Sequence, residues 1–228
     1  MTRFSRALVV GDTGGIGAAM AKGLRAKGVE VVGLSRRSDP PIDLEDEPSI
    51  QHALEQLHGQ YDLVFIATGL LHDDRQQPEK SVKMLAKSSF DRSFAVNATG
   101  PALIMKHVLP CIPRDRPAVI AALSARVGSI GDNRLGGWHA YRASKAALNM
   151  LVKTISIELA RTHDQLVVSA LHPGTVDTRL SHPFQTNVPD RQLFAPETSA
   201  AHLLDVLESL SAEDSGGHFD WAGKPICP

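Results

Sequence analysis

Tyr141 and Lys145, in the run Tyr141-Arg142-Ala143-Ser144-Lys145, set a phenol and an ammonium four residues apart. Residues at that spacing share one face of a helix, so the two side chains can meet. A free tyrosine, with a pKa of about 10, is a poor proton donor or acceptor near neutral pH. A neighbouring cation favours the phenolate and draws that pKa toward the working range. The pair is therefore a candidate acid/base unit, although an isolated Tyr-x-x-x-Lys also describes an ordinary exposed helix face.

What singles it out is an upstream run, Leu8-Val9-Val10-Gly11-Asp12-Thr13-Gly14-Gly15-Ile16-Gly17. An apolar strand feeds a glycine-rich turn, and a helix is predicted from Ile16 to Lys27, stopped by Gly28. Glycines at 11, 15 and 17 permit a tight turn, close backbone approach to a phosphate, and close helix-on-strand packing. The helix N-terminus then offers free N–H groups and a positive dipole end to a pyrophosphate. Asp12 is out of keeping there. Unless it points away or caps a backbone N–H, its charge weakens pyrophosphate binding.

Together these residues resemble the short-chain dehydrogenase/reductase family. Its G-x-x-x-G-x-G pattern falls on Gly11, Gly15 and Gly17, and its Y-x-x-x-K on Tyr141 and Lys145. Its central-helix asparagine matches Asn97, and its P-G-x-V-x-T segment matches Pro173, Gly174, Val176 and Thr178. The stretch from Gly128 to Trp138 also resembles the C-factor and sniffer carbonyl reductase subgroup.

The resemblance implies a doubly wound parallel sheet of Rossmann type and hydride transfer between a dinucleotide and a small carbonyl or alcohol substrate. It makes Tyr141 the acid/base. Lys145 lowers the Tyr141 pKa and binds the nicotinamide ribose, and Asn97 anchors a water linking Lys145 to solvent. Outside the family context Asn97 reads equally well as a polar residue closing a mid-helix irregularity. Gly69 is what remains of the family's N-N-A-G, which here reads Ile66-Ala67-Thr68-Gly69. The carbonyl-polarising serine is displaced: counting back from Gly128 puts it at Ala125. Ser124 is one residue early, on the opposite strand face unless a bulge re-aims it. Ser124 is the expected donor, Ser129 a second candidate, and a missing donor the alternative.

Cofactor choice is read at the end of the second strand, where an acid would bind the ribose 2′-hydroxyl of NAD. Here Ser35 is followed by Arg36 and Arg37, and arginine suits bidentate phosphate recognition. Ser35 and Arg36, with Arg37 secondary, predict NADP, with NADPH bound more tightly than NADH. Asp43 and Leu44 match the family position at the adenine edge.

These groups need a scaffold, and the chain supplies alternating strand- and helix-like segments. Strands are predicted at Ala7–Gly11, Glu30–Ser35, Leu63–Ala67, Ala118–Leu123, Val167–His172 and His218–Asp220. Helices are predicted at Ile16–Lys27, Pro48–Leu57, Phe90–Leu109, Tyr141–Arg161 and Pro196–Leu210. The 228 residues suit one dinucleotide-binding oxidoreductase domain over 1–228, with Arg179–Ala195 as a substrate lid after the Pro-Gly segment. A net charge of −1 argues against nucleic acid as the main partner. No apolar run is long enough for a membrane span. The N-terminus runs straight into the first strand, which leaves no room for a signal peptide, and two cysteines do not make a disulfide framework. The expected setting is the cytoplasm. The histidines show no metal-ligand spacing, so no metal site is expected.

Apolar residues along Tyr141–Arg161 (Ala146, Ala147, Leu148, Leu151, Val152, Ile155, Leu159) suggest a homodimer or homotetramer. Against the enzyme stands a cofactor-binding regulatory or signalling protein with weak or no turnover. A Tyr141→Phe variant separates the two. An extended-type epimerase or dehydratase is disfavoured, because little chain follows residue 175.

Overall fold

The computed structural model describes residues 2–186, Pro189 and 192–228. Six strands form one parallel sheet: β1 (Arg6–Val10), β2 (Glu30–Leu34), β3 (Leu63–Ile66), β4 (Ala118–Leu123), β5 (Leu166–His172) and β8 (His218–Asp220). Their order is β2-β1-β3-β4-β5-β8. A separate pairing joins β6 (Thr175–Val176) to β7 (Leu193–Phe194). The central strands are continuous apolar runs because helices cover both faces of the sheet.

The pleat divides the core in two. Leu8, Val10, Val64, Ile66, Ile120 and Val168 pack against α2 (Glu47–Glu55), α4 (Gly100–Val108) and α5 (His139–Leu159). Val9, Phe65, Val119 and Ala121 pack against α1 (Gly15–Ala26) and α6 (Pro196–Ser209). Because β2 and β3 both flank β1, the strand order reverses at β1/β3. The crevice outside the C-terminal ends of those strands is where ligands bind in such sheets. The doubly wound architecture read from the sequence is borne out.

Element ends differ from expectation by a few residues, and one helix differs in kind. The segment expected as a helix over Phe90–Leu109 begins earlier, with α3 (Lys87–Phe94), and is interrupted by a π-turn at Ala95–Thr99 before α4. Pro101 has no N–H to give the Asn97 carbonyl four residues back, so regular α-pitch cannot run through this point. The expectation of excess apolar surface on α5 is also corrected. Leu148, Val152 and Leu159 are core residues, with Ala147, Leu151 and Ile155 packed against them. The exposed apolar residues of α5 are Met150 and Ile157. No helix among the described residues is long and apolar enough to cross a membrane.

Candidate active site and cofactor cradle

The glycine-rich turn leaves β1 at Gly11, whose φ of +89° is open to glycine at little cost. Its N–H donates to the Leu34 carbonyl at 2.7 Å, pinning the turn to the exit of β2. A Cβ on Gly17 would overlap the Gly11 carbonyl, and one on Gly15 would come within 2.6 Å of Thr178 Cγ2. Backbone thus approaches backbone without an intervening side chain, and the Pro173–Thr178 segment is brought against the turn. Ile16 packs against the α1/α6 core. The N-cap of α1, Gly14, makes no side-chain cap, and the first turn carries no acid. This bare, positive helix end fits a pyrophosphate. Asp12 does point away from the helix end: its Oδ2 occupies the space a side chain on Gly33 would fill.

At the exit of β2, Ser35 is buried and accepts from the Arg37 N–H at 3.3 Å. Arg36 and Arg37 are exposed and form no ion pair among the described residues. Asp43 turns the chain toward α2, its Oδ1 accepting from Glu45 N–H at 3.0 Å, and Leu44 packs against Gly100.

Tyr141 and Lys145 lie on one face of α5, both buried. Lys145 Nζ donates to the Leu123 carbonyl at 2.7 Å and stands 5.9 Å from the Tyr141 ring centroid. The expected lowering of the Tyr141 pKa is overturned. Burial pushes the phenol up to about 12 and the ammonium down to about 7, because withdrawal from water disfavours both charged forms.

Asn97, fully buried at the π-turn, accepts from Leu70 N–H at 2.7 Å and donates to Leu70 O and Ser144 Oγ at 2.8 and 3.1 Å. Both of its N–H donors go to protein, so its side chain ties the exit of β3 to α5. Gly69 sits beside this junction, with Asn97 Oδ1 and Lys145 Nζ within 4 Å of where its Cβ would be.

The serine question also resolves geometrically. Ser124 donates its hydroxyl to Asn149 Oδ1 at 2.6 Å, and Asn149 Nδ2 lies 3.4 Å from His218 Nδ1. No bulge turns it back: Ala125 is extended, at φ −152° and ψ 145°, so the one-residue step leaves Ser124 facing α5 beyond Lys145. Ser129 is likewise occupied, accepting from Asp132 N–H at 3.0 Å and lying 3.4 Å from Pro228 O. Ser124 as a free carbonyl donor is therefore corrected.

The family model for short chain dehydrogenase matches residues 5–189. The chain belongs to that family. C-signal of Myxococcus xanthus is 37% identical over 135 residues, 59% of this chain and 76% of that protein. The structure of NADPH-bound carbonyl reductase from chicken fatty liver superposes with a TM-score of 0.85 at 24% identity, covering 99% of this chain and all of that one. Carbonyl reductase Sniffer of D. melanogaster superposes at 0.83 with 20% identity, covering 98% and 99%. The resemblance to C-factor is borne out in sequence, and that to sniffer carbonyl reductase in fold.

Two features of this short-chain dehydrogenase escaped the sequence. The first is Glu79, buried in the loop after β3. Trp138, just before α5, is left-handed at φ 52° and gives the helix no side-chain cap. Glu79 supplies the cap from afar: its carbonyl accepts from Trp138 N–H at 2.6 Å and its Oε2 from Ala140 N–H at 3.2 Å. A carboxylate there satisfies an orphan donor and matches the helix dipole. Sequence carries no signal for a cap 61 residues away.

The second is the set of contacts that joins Trp138 to the lid segment as an aromatic wall. Trp138 packs edge-on against Tyr141 and Phe184, at 6.3 and 5.0 Å between centroids, and Phe184 meets His72 at 5.4 Å. Phe184 belongs to a short 3-10 turn, His182–Phe184, within the expected lid. Beside it a 390 Å³ cavity is lined by His72, Asp177, Thr178, Arg179, His182 and Pro183. Residues 187, 188, 190 and 191 of the lid segment lie outside the described residues.

Proposed function

We propose that this short-chain dehydrogenase interconverts a small carbonyl compound and its alcohol using NADP(H), with NADPH bound more tightly than NADH. The observation that carries this reading is the buried Tyr141–Lys145 pair, standing beside a bare helix end and a glycine turn that leave room for a dinucleotide. Gly11, Gly15, Ile16 and Gly17 would hold the pyrophosphate, Ser35 and Arg36 the 2′-phosphate, Asp43 and Leu44 the adenine. Gly69, Pro173, Gly174, Val176, Thr178 and Lys145 would border the nicotinamide end. The bound cofactor supplies hydride to, or takes it from, the substrate carbon. Tyr141, kept protonated by burial, gives its Oη proton to the substrate oxygen in reduction and recovers it in oxidation. Lys145, with a pKa of about 7, exchanges a proton near neutral pH. Asn97 holds α5 in register through Ser144.

Residues 1–228 act as one dinucleotide-binding unit, with 179–195 as a lid over the substrate. The setting is the cytoplasm, and a second copy docks on α5 through Met150 and Ile157, which are 67% and 55% exposed. A binding protein with slow turnover is the second reading. It is favoured by the commitment of Ser124 to Asn149 and by the similarity to C-signal. Fluorescence titration with NADPH and NADH, followed by a panel of small carbonyls, tests the proposal. Tighter NADPH binding with carbonyl-dependent oxidation supports it, and equal affinities for the two cofactors reject the 2′-phosphate site.

A further inference from the structure

We infer that Asp12 is a binding residue for the adenosine ribose, its carboxylate accepting the ribose hydroxyls; the inference rests on the dinucleotide reading above. In this fold the pyrophosphate sits on the first helix and the 2′ position is read at the end of β2, so the ribose spans the two. The Gly11–Leu34 hydrogen bond draws those landmarks together. The side chain lying across that span is Asp12, with Oδ2 above Gly33 and Oδ1 buried. Glycine at 33 is what makes the room, since any Cβ there would overlap the carboxylate.

Asp12 differs in its partners from Asp62 and Asp220, and shares an unpartnered buried oxygen with Glu79 and Glu208. Asp62 accepts from Ser5 and Arg6, and Asp220 from Ala222, Lys224 and Arg126. Buried Asp12 Oδ1 has no hydrogen-bond partner among the described residues, and neither Arg36 nor Arg37 pairs with the carboxylate. Oδ1 is enclosed by protein, so the ribose contact falls to Oδ2 above Gly33, an acceptor to which a vicinal diol can present two donors. A 2′-phosphate replaces one of those donors with negative charge. Asp12 therefore favours the unphosphorylated ribose and opposes Arg36, so the two residues together set the NADPH/NADH ratio.

Dissociation constants of the full-length protein for NADH and NADPH, measured by nicotinamide fluorescence for the wild type, Asp12→Asn and Asp12→Ala, test this. Loss of a hydrogen bond to a charged acceptor should weaken NADH about tenfold in both variants, while NADPH is unchanged or tighter. Both constants unchanged within about twofold overturn the inference and leave the cofactor reading standing. Equal weakening of both cofactors with a lowered thermal midpoint also overturns it, assigning Asp12 to turn stability. Absence of binding of either cofactor to the wild type overturns the dinucleotide reading and this inference with it.

Discussion

Lys145 Nζ donates a hydrogen bond to the Leu123 carbonyl and stands 5.9 Å from the centroid of the Tyr141 ring. The ammonium is thus anchored to β4, and burial, rather than mutual attraction, dominates both groups. Burial keeps the Tyr141 phenol protonated, at the cost of acid strength.

Replacing Tyr141 by Phe removes that proton and little else. We expect turnover of any carbonyl substrate to fall by about 10²–10⁴, the usual worth of a positioned acid/base, with NADPH affinity retained. Steady-state kinetics beside a fluorescence titration check both halves. Unchanged turnover would move the proton donor elsewhere.

Stability should carry the signature of Lys145 at alkaline pH. Its folded pKa, about 7, lies below the value of about 10.5 expected when unfolded. Between those values the unfolded chain holds the proton and the native one does not, so this contribution rises as pH increases from about 7 to 10. Tyr141 acts oppositely at higher pH, its contribution being lost between about 10 and 12. Urea midpoints at pH 7, 8 and 9 should therefore climb more steeply in the wild type than in Lys145→Met. Parallel profiles would reject the depressed lysine.

Ala125 faces away from the side that holds Ser124. A hydroxyl introduced by Ala125→Ser should raise turnover, up to the ~10²–10³ carried by a single carbonyl-directed donor, without altering cofactor affinity. Ser124→Ala should leave turnover within a few-fold and lower the thermal midpoint through loss of the Asn149 bond. If Ser124→Ala instead abolishes turnover, Ser124 is the donor despite its contact.

Glu79→Ala removes the cap of the catalytic helix, worth about 0.5–2 kcal/mol for a typical cap. Melting temperature should fall, and kcat about tenfold, because the turn before Tyr141 loses a fixed point. Glu79→Gln keeps an acceptor and should restore most of both. Equal loss in the two variants would mean that charge, not hydrogen bonding, is what Glu79 provides.

Much of this was legible in the sequence because it is local. The apolar runs of β1, β3 and β4, the glycines at 11, 15 and 17, and the four-residue step from Tyr141 to Lys145 each state their geometry within a few residues. The direction of the Tyr141 pKa was not legible, since spacing reports proximity but not burial. The partner of Ser124 lies on another element, and Glu79 reaches its helix across a long loop. Pro101, which has no donor for the Asn97 carbonyl, carries a local signal for the π-turn that the continuous-helix reading of Phe90–Leu109 passed over.

Trp138 joins a strained backbone to the packing of the aromatic wall. A non-glycine residue in the left-handed region carries strain of about 1–2 kcal/mol, here retained in a wall-forming residue beside Gly136 and Gly137, both also at positive φ. Replacing Trp138 with glycine would relax the backbone while removing the ring that meets Tyr141 and Phe184. The strain relieved is smaller than the packing lost with a ring that touches Tyr141 and Phe184, so the left-handed turn is held in place by the very contacts it creates.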